Sequence, residues 1–84
     1  MGATLDEIPP SHPAYGRIGG VLVTRVTRDS AASRAGLRRG DLIIGIDGEP
    51  IGSLAELAAA LSPARDRLTI NLLRGDTQLA LVIG

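Results

Sequence analysis

Serine and histidine are the residue types in this chain of 84 residues that could perform nucleophilic catalysis. A serine hydrolase needs a hydroxyl, a base and a group that orients the base, all within hydrogen-bond reach of one another. The candidate hydroxyls occupy predicted loops and helix starts, and none of them has the setting of a nucleophile elbow; they are Ser11, Ser30, Ser33, Ser53 and Ser62. His12, the single histidine, lies in a proline-rich segment, where we expect a solvated side chain. The sequence therefore predicts no catalytic site.

Metal and adhesion sites are disfavoured as well. One histidine, no cysteine and scattered carboxylates give neither the number nor the spacing of metal ligands, so we expect no metal and no cofactor. The tripeptide Arg74 to Asp76 resembles an adhesion motif, and the stretch Arg38 to Asp41 is similar to it. Both stretches are typical of turns, and we interpret Arg38 and Arg39 as a solvated turn.

Composition excludes further classes of partner. All nine basic residues are arginine and nine acidic residues balance them, so no field attracts nucleic acid or an anionic membrane. No apolar run approaches the roughly 20 residues of a membrane span, and the amino end lacks a signal-peptide pattern. We interpret residues 1–84 as one domain. Met1 precedes an organised segment so closely that we expect the domain to be excised from a longer chain.

The first half of the chain predicts two strands around a short helix. Residues 20–27 are rich in Val and Thr and indicate a strand, with Val21, Val23 and Arg25 on one face by strict alternation. Ser30 is a favourable N-cap, and Gly36 occupies the place of a left-handed C-terminal residue. Residues 41–47 are apolar almost throughout, which is typical of a strand buried on both faces, and the turn pair Asp47-Gly48 leads to a short edge segment at residues 49–51.

The second half predicts the main helix and a hairpin. Ser53 is the expected N-cap of a helix over residues 53–61, with Glu56 as its capping-box partner and Pro63 just past its end. One face of this helix, with Leu57, points to a core, and a second apolar stripe lies beside it; the stripe consists of Leu54, Ala58 and Leu61. Two strands, residues 67–74 and 77–84, are joined by the turn pair Gly75-Asp76. Residues 6–19 are predicted to be one long loop.

An exposed strand edge beside an apolar helix stripe can accept an extended peptide as an added strand. Here residues 2–5 would provide the edge, and the stripe of the main helix would provide the wall. The alternative is that the stripe is ordinary core and that residues 1–5 form a paired terminal strand. Periodicity alone leaves both interpretations open.

The order of these elements resembles a known family. The run "SAASRAGLRRGDLIIGIDGEPI" is similar to the most diagnostic part of a bacterial PDZ domain, and the similarity extends over nearly the whole chain. The opening "GATL" and the closing "INLLRGDTQLALVIG" look most like the second, C-terminal PDZ domain of HtrA or DegP-type serine proteases. The resemblance implies an α+β, mainly β fold: a partial barrel of five to six strands with two helices, in the circularly permuted topology of bacterial members.

The resemblance also implies a binding site and a role. The carboxylate-binding loop would fall on Met1, Gly2 and Ala3, and Thr4 and Leu5 would continue the strand that pairs with the ligand. The pocket for the last ligand side chain would be lined by Ala3, Leu5, Leu54, Ala58 and Leu61. The implied partners are C-terminal or extended peptides of unfolded or signalling proteins and other protomers of a periplasmic protease used in protein quality control. The isolated domain would be a monomer without catalytic residues.

Two other roles fit the same resemblance. The domain could be an assembly module with a closed groove, in which the outer sheet or the proline-rich loop contacts other protomers. It could also belong to a different envelope protein, such as a site-two protease, a tail-specific protease or a secretion component. Met1 and the small Ala3 depart from the family pattern of bulky residues around the loop glycine.

Overall fold

The computed structural model describes residues 2–61 and 67–83, which form six strands and two helices. In chain order they are β1 (Ala3–Glu7), β2 (Val21–Val26), α1 (Ala31–Ala35), β3 (Leu42–Ile46), β4 (Glu49–Pro50), α2 (Leu54–Leu61), β5 (Leu68–Arg74) and β6 (Thr77–Ile83). This mainly β architecture confirms the predicted fold class. None of the helices in residues 2–61 and 67–83 is long and apolar enough to cross a membrane.

All strands belong to one antiparallel sheet of order β1-β2-β3-β5-β6, and β4 pairs with β3. This order makes β1 and β6 the two ends of the path. The hairpin of β5 and β6 turns at Gly75, whose φ of 61° is in the left-handed region, as the sequence predicts. The turn at Asp47-Gly48 is confirmed in the same way, with φ of 50° and 85°.

One apolar cluster joins the sheet to both helices. The fully buried large side chains at its centre come from β2, β3, β5 and α2; they are Val21, Val23, Ile43, Ile46, Leu57, Ile70 and Leu72. Strand β3 is buried on both faces, as its continuous apolar run predicts. Leu57 is the buried residue of α2, which anchors that helix to the core.

A β-bulge changes the predicted inward face of β2. Thr4 pairs with Arg25 and Leu5 pairs with Val23, so Thr24 is an extra residue on β2. Because an extra residue reverses the alternation beyond it, Val26 packs against the core and Arg25 is exposed. The prediction that Arg25 shares the face of Val21 and Val23 is therefore wrong.

Side-chain caps set the starts of both helices. The Ser30 hydroxyl accepts the Ser33 N–H at 3.1 Å, and Gly36 ends α1 with φ of 100°, as predicted. The Ser53 hydroxyl accepts the Glu56 N–H at 3.2 Å, which confirms Ser53 as the N-cap of α2. Pro63 lies outside the described residues.

The predicted loop over residues 6–19 begins later than the sequence indicates. Strand β1 continues through Asp6 and Glu7, which pair with Leu22 and Val21. Pairing with an existing neighbour strand extends β1 although these acidic residues have low intrinsic strand propensity. The remaining connection folds into turns around Ala14, which is buried.

Candidate functional site

Within residues 2–61 and 67–83, no strand pairs with β1 on the side opposite to β2, and we call this side the open edge of β1. The Thr27 N–H donates to the Gly2 carbonyl at 2.7 Å, and the Thr24 hydroxyl donates to the Thr4 carbonyl at 3.1 Å, so these carbonyls face β2. Main-chain groups alternate in direction along a strand, and those of Ala3 and Leu5 therefore face away from β2. An edge strand is a template for another strand.

The side chains of β1 divide into two faces. Ala3 and Leu5 are half-buried and pack against the core, whereas Thr4 and Asp6 are exposed on the opposite face. The inward face of β1 is therefore small and apolar along the open edge.

Gly2 is held in a conformation that fits glycine. Its φ is 93°, and a Cβ built at this position would overlap the Cβ and hydroxyl of Ser30. The Ser30 hydroxyl also donates to the Thr27 carbonyl at 2.7 Å. The start of β1 is thus packed against the N-cap of α1, and a side chain at position 2 would separate them.

Helix α2 contributes the predicted apolar stripe. Leu54 and Leu61 are half-buried and pack against the core, and Ala58 between them is exposed. We call the surface between the open edge of β1 and these three residues the β1–α2 groove. At about 100° per residue, Leu54, Ala58 and Leu61 lie on one side of Leu57, whereas Ala59 lies on the far side of the helix.

Glu7 connects the two walls of the groove. Its Oε1 accepts the Leu54 N–H at 2.8 Å, which satisfies a backbone donor in the first turn of α2. A carboxylate is favourable at this helix end because of the helix dipole. The sequence-based interpretation named Glu56 as the capping-box partner of Ser53, and it placed Glu7 in a loop. No local spacing signals the contact, since the two residues are 47 positions apart.

An ion pair fixes the end of α1 to the sheet. Arg74 donates to Asp41 through Nε at 2.9 Å and through Nη2 at 2.8 Å, and Nη2 also donates to the Gly36 carbonyl at 2.8 Å. Asp41 is 2% exposed and also accepts the Arg38 N–H at 2.9 Å. The hydrogen bonding of Arg74 to the Asp41 carboxylate raises the pKa of Arg74 above its ordinary value, so the guanidinium stays charged.

The ion pair corrects the interpretation of both adhesion-like stretches as turns alone. The carboxylate of Asp41, in one stretch, and the guanidinium of Arg74, in the other, bind each other. The similarity of the two stretches was the only sequence feature that singled out Asp41 and Arg74. It does not predict their contact, because the order of strands in the sheet brings the two residues together.

His12 is also more than a solvated side chain. It is half-buried, and its Nδ1 accepts the Ala14 N–H at 3.0 Å, which stabilises a turn of the proline-rich loop.

A cavity of about 450 Å³ lies between this loop and the β5–β6 turn, with His12, Arg17 and Asp76 in its wall. None of the predicted site residues lines it. Residues 2–61 and 67–83 contain no group of three side chains that could hold a metal ion.

The structure thus brings most of the predicted site residues to one surface. Gly2, Ala3 and Leu5 lie on one wall, and the stripe of α2 lies on the other. Thr4 belongs to β1, but its side chain is on the exposed face turned away from the core. Met1 lies outside the described residues.

Comparison with known proteins identifies the family. The sequence model of the PDZ domain family matches residues 22–74. The chain is a PDZ domain. Its structure aligns over 100% of its length with 81% of the HtrA3 PDZ domain bound to a phage-derived ligand, FGRWV, with a TM-score of 0.85 and 27% identity.

Two relatives show where PDZ domains of this sequence type occur. This PDZ domain is 43% identical over 91 residues to HhoA of Synechocystis sp., covering 99% of the chain and 23% of HhoA. It is 37% identical over 68 residues to the periplasmic serine endoprotease DegP of Salmonella typhimurium, covering 81% of the chain and 14% of DegP. The PDZ domain therefore spans less than a quarter of either relative, and it is related to the PDZ domains of HtrA-type serine proteases.

Proposed function

We propose that this PDZ domain binds the carboxyl-terminal segment of a protein as an added strand in the β1–α2 groove. The observation that carries the proposal is the open edge of β1, where the main-chain groups of Ala3 and Leu5 are directed away from β2, beside helix α2. An added strand gains affinity from main-chain hydrogen bonds and gains specificity from pockets for alternate side chains.

The amino end of β1 supplies the place for the ligand carboxylate. Gly2 has a positive φ and is followed directly by extended backbone, so the direction of successive main-chain amides changes at this point. Consecutive amides that converge in this way form anion-binding concavities. The apolar side chain of the last ligand residue would lie between Ala3 and Leu61. The related HtrA3 PDZ domain is bound to a ligand that ends in valine.

The experiment is a titration of the isotope-labelled domain with a pentapeptide that ends in a valine carboxylate and with the same peptide amidated. We expect chemical-shift changes in residues 2–5 and 54–61 with the free carboxylate and much weaker changes with the amide. Shift changes confined to the proline-rich loop or the outer sheet would contradict the proposal.

Two alanine variants of α2 supply a matched test. Ala58 and Ala59 are adjacent and exposed, but only Ala58 lies in the stripe. Ala58→Arg places a long charged side chain in the groove, and we expect peptide affinity to fall about tenfold or more, which corresponds to roughly 1.4 kcal/mol or more. Ala59→Arg makes the same chemical change outside the groove and leaves affinity unchanged. Equal effects of the two variants would contradict the groove assignment.

In the parent protein, we assign this domain to substrate recognition and regulation in an HtrA-type serine protease of the bacterial periplasm or envelope. The relatedness to HhoA and DegP supports this parent. The full-length sequence tests it directly: a trypsin-like protease domain upstream is expected, and a membrane-embedded or tail-specific protease would overturn it.

Contact between protomers is the second candidate role. Val82 on the edge strand β6 and Tyr15 in the proline-rich loop are exposed apolar residues, 53% and 54% accessible, on the surfaces that such contacts would use. Sedimentation of the parent with and without residues 1–84 separates the roles. A loss of assembly without a loss of peptide binding favours this second role.

A further inference from the structure

Glu7 places a negative charge at the end of the β1–α2 groove that is remote from Gly2. Its side chain reaches the first turn of α2, where Oε1 accepts the Leu54 N–H at 2.8 Å. A carboxylate has about four lone-pair sites, and the Leu54 amide uses one of them. The bond therefore fixes the position of the carboxylate without exhausting its capacity to accept hydrogen bonds.

The pairing direction determines which ligand residue approaches this charge. An antiparallel guest strand with its carboxyl end at Gly2 has its last residue opposite Ala3 and its third residue from the end opposite Leu5. Opposed residues share one face of a sheet, so both guest side chains point into the groove. Glu7 follows Leu5 on the same face and is the diagonal neighbour of the third residue from the end, within reach of a long side chain.

The other charges near β1 differ in their placement. Asp6 is exposed on the opposite face of β1. Arg25 pairs with Thr4, whose side chain is also on that opposite face. Glu56, in the first turn of α2, lies about 200° around the helix from Leu54 and is therefore directed away from the stripe. Of these charged side chains, Glu7 is the one on the groove face at this end.

We propose that Glu7 is a specificity-determining residue that favours peptides with arginine or lysine at the third position from the carboxyl end. This inference rests on the proposed function, since it assumes a strand bound in the β1–α2 groove. A guanidinium at that position forms a charge-assisted hydrogen bond with the Glu7 carboxylate, whereas an acidic side chain is repelled by it.

The test uses three pentapeptides that end in valine and differ only at the third position from the end, which is arginine, alanine or glutamate. Their affinities for the unmodified domain are measured by calorimetry at low and high salt. We expect arginine to bind most tightly and glutamate least, with an arginine-to-glutamate ratio of roughly threefold to tenfold at low salt, as is typical of exposed ion pairs. The ratio falls at high salt because salt screens exposed charges.

Two variants locate the effect. Glu7→Gln keeps an oxygen that can accept the Leu54 N–H but removes the charge, and we expect the ratio to fall close to one while the alanine peptide still binds. Asp6→Asn removes the same charge from the other face of β1 and leaves the ratio unchanged. A far-UV circular dichroism spectrum like that of the unmodified domain verifies that each variant is folded.

The outcomes separate this inference from the proposed function. If the alanine peptide does not bind to the unmodified domain, the groove proposal itself fails. If that peptide binds but the arginine-to-glutamate ratio is near one, or if Glu7→Gln leaves the ratio intact, the role of Glu7 is overturned. An equal reduction by Asp6→Asn would also overturn it, because the preference would then reflect the general charge of the domain.

Discussion

The ion pair of Asp41 with Arg74 gives a quantitative prediction because its two members are buried to different degrees. Asp41 is 2% exposed, whereas the Arg74 side chain is 31% exposed. Arg74→Gln leaves a carboxylate that water barely reaches, and Asp41→Asn leaves a guanidinium that water can still hydrate. The two single variants should therefore destabilise the domain unequally.

The expected magnitudes follow from the bonds in the structure. Removing one partner of a buried pair costs about 3–5 kcal/mol, and we assign this cost to Arg74→Gln. Asp41 accepts three hydrogen bonds, from Arg38 and twice from Arg74, and the single amide oxygen of asparagine can accept only part of them. With the guanidinium rehydrated, we expect Asp41→Asn to cost about 2–3 kcal/mol.

A double-mutant cycle isolates the interaction. The double variant has no uncompensated carboxylate, so its loss should be no larger than that of Arg74→Gln alone and well below the sum of the two losses. The measurement is urea unfolding followed by far-UV circular dichroism, since the chain contains no tryptophan. The pair ties the end of α1 to the sheet, and α1 carries Ser30, against which Gly2 packs.

Additive losses below about 1 kcal/mol each would refute this reasoning. They would place the pair in the class of exposed ion pairs, whose contributions are about 0–1 kcal/mol. A domain of this size has a free energy of unfolding of only about 4–13 kcal/mol, so the expected loss for Arg74→Gln is a large fraction of the total.

Two further changes test the scaffold of the groove. Gly2→Ala should destabilise the start of β1 by about 1–2 kcal/mol because of its positive φ, with an additional steric cost against Ser30, and should weaken peptide binding. Adding Ser30→Gly should restore part of that loss, as measured by unfolding and peptide titration; no restoration would mean that contact with Ser30 is unimportant. Leu57→Ala should cost about 2–5 kcal/mol in urea unfolding because Leu57 is fully buried. A loss below about 1 kcal/mol would show that α2 is not anchored by this side chain.

The sequence by itself determined the elements whose signals are local. The caps at Ser30 and Ser53, the glycine turns at Gly48 and Gly75, and the continuous apolar run of β3 each depend on residues within a few positions of one another. Short-range geometry controls such features, so they can be predicted without knowledge of the fold. The resemblance of residues 30–51 to PDZ domains also predicted the mainly β fold and the position of the groove.

Tertiary structure decided the features that join distant parts of the chain. The contact of Glu7 with Leu54 and the ion pair of Asp41 with Arg74 span 47 and 33 positions. The bulge at Thr24, which turns Arg25 outward, arises from the pairing of β2 with β1. Partners of this kind are chosen by sheet order and register, because backbone pairing brings together residues whose separation along the chain carries no periodic signal.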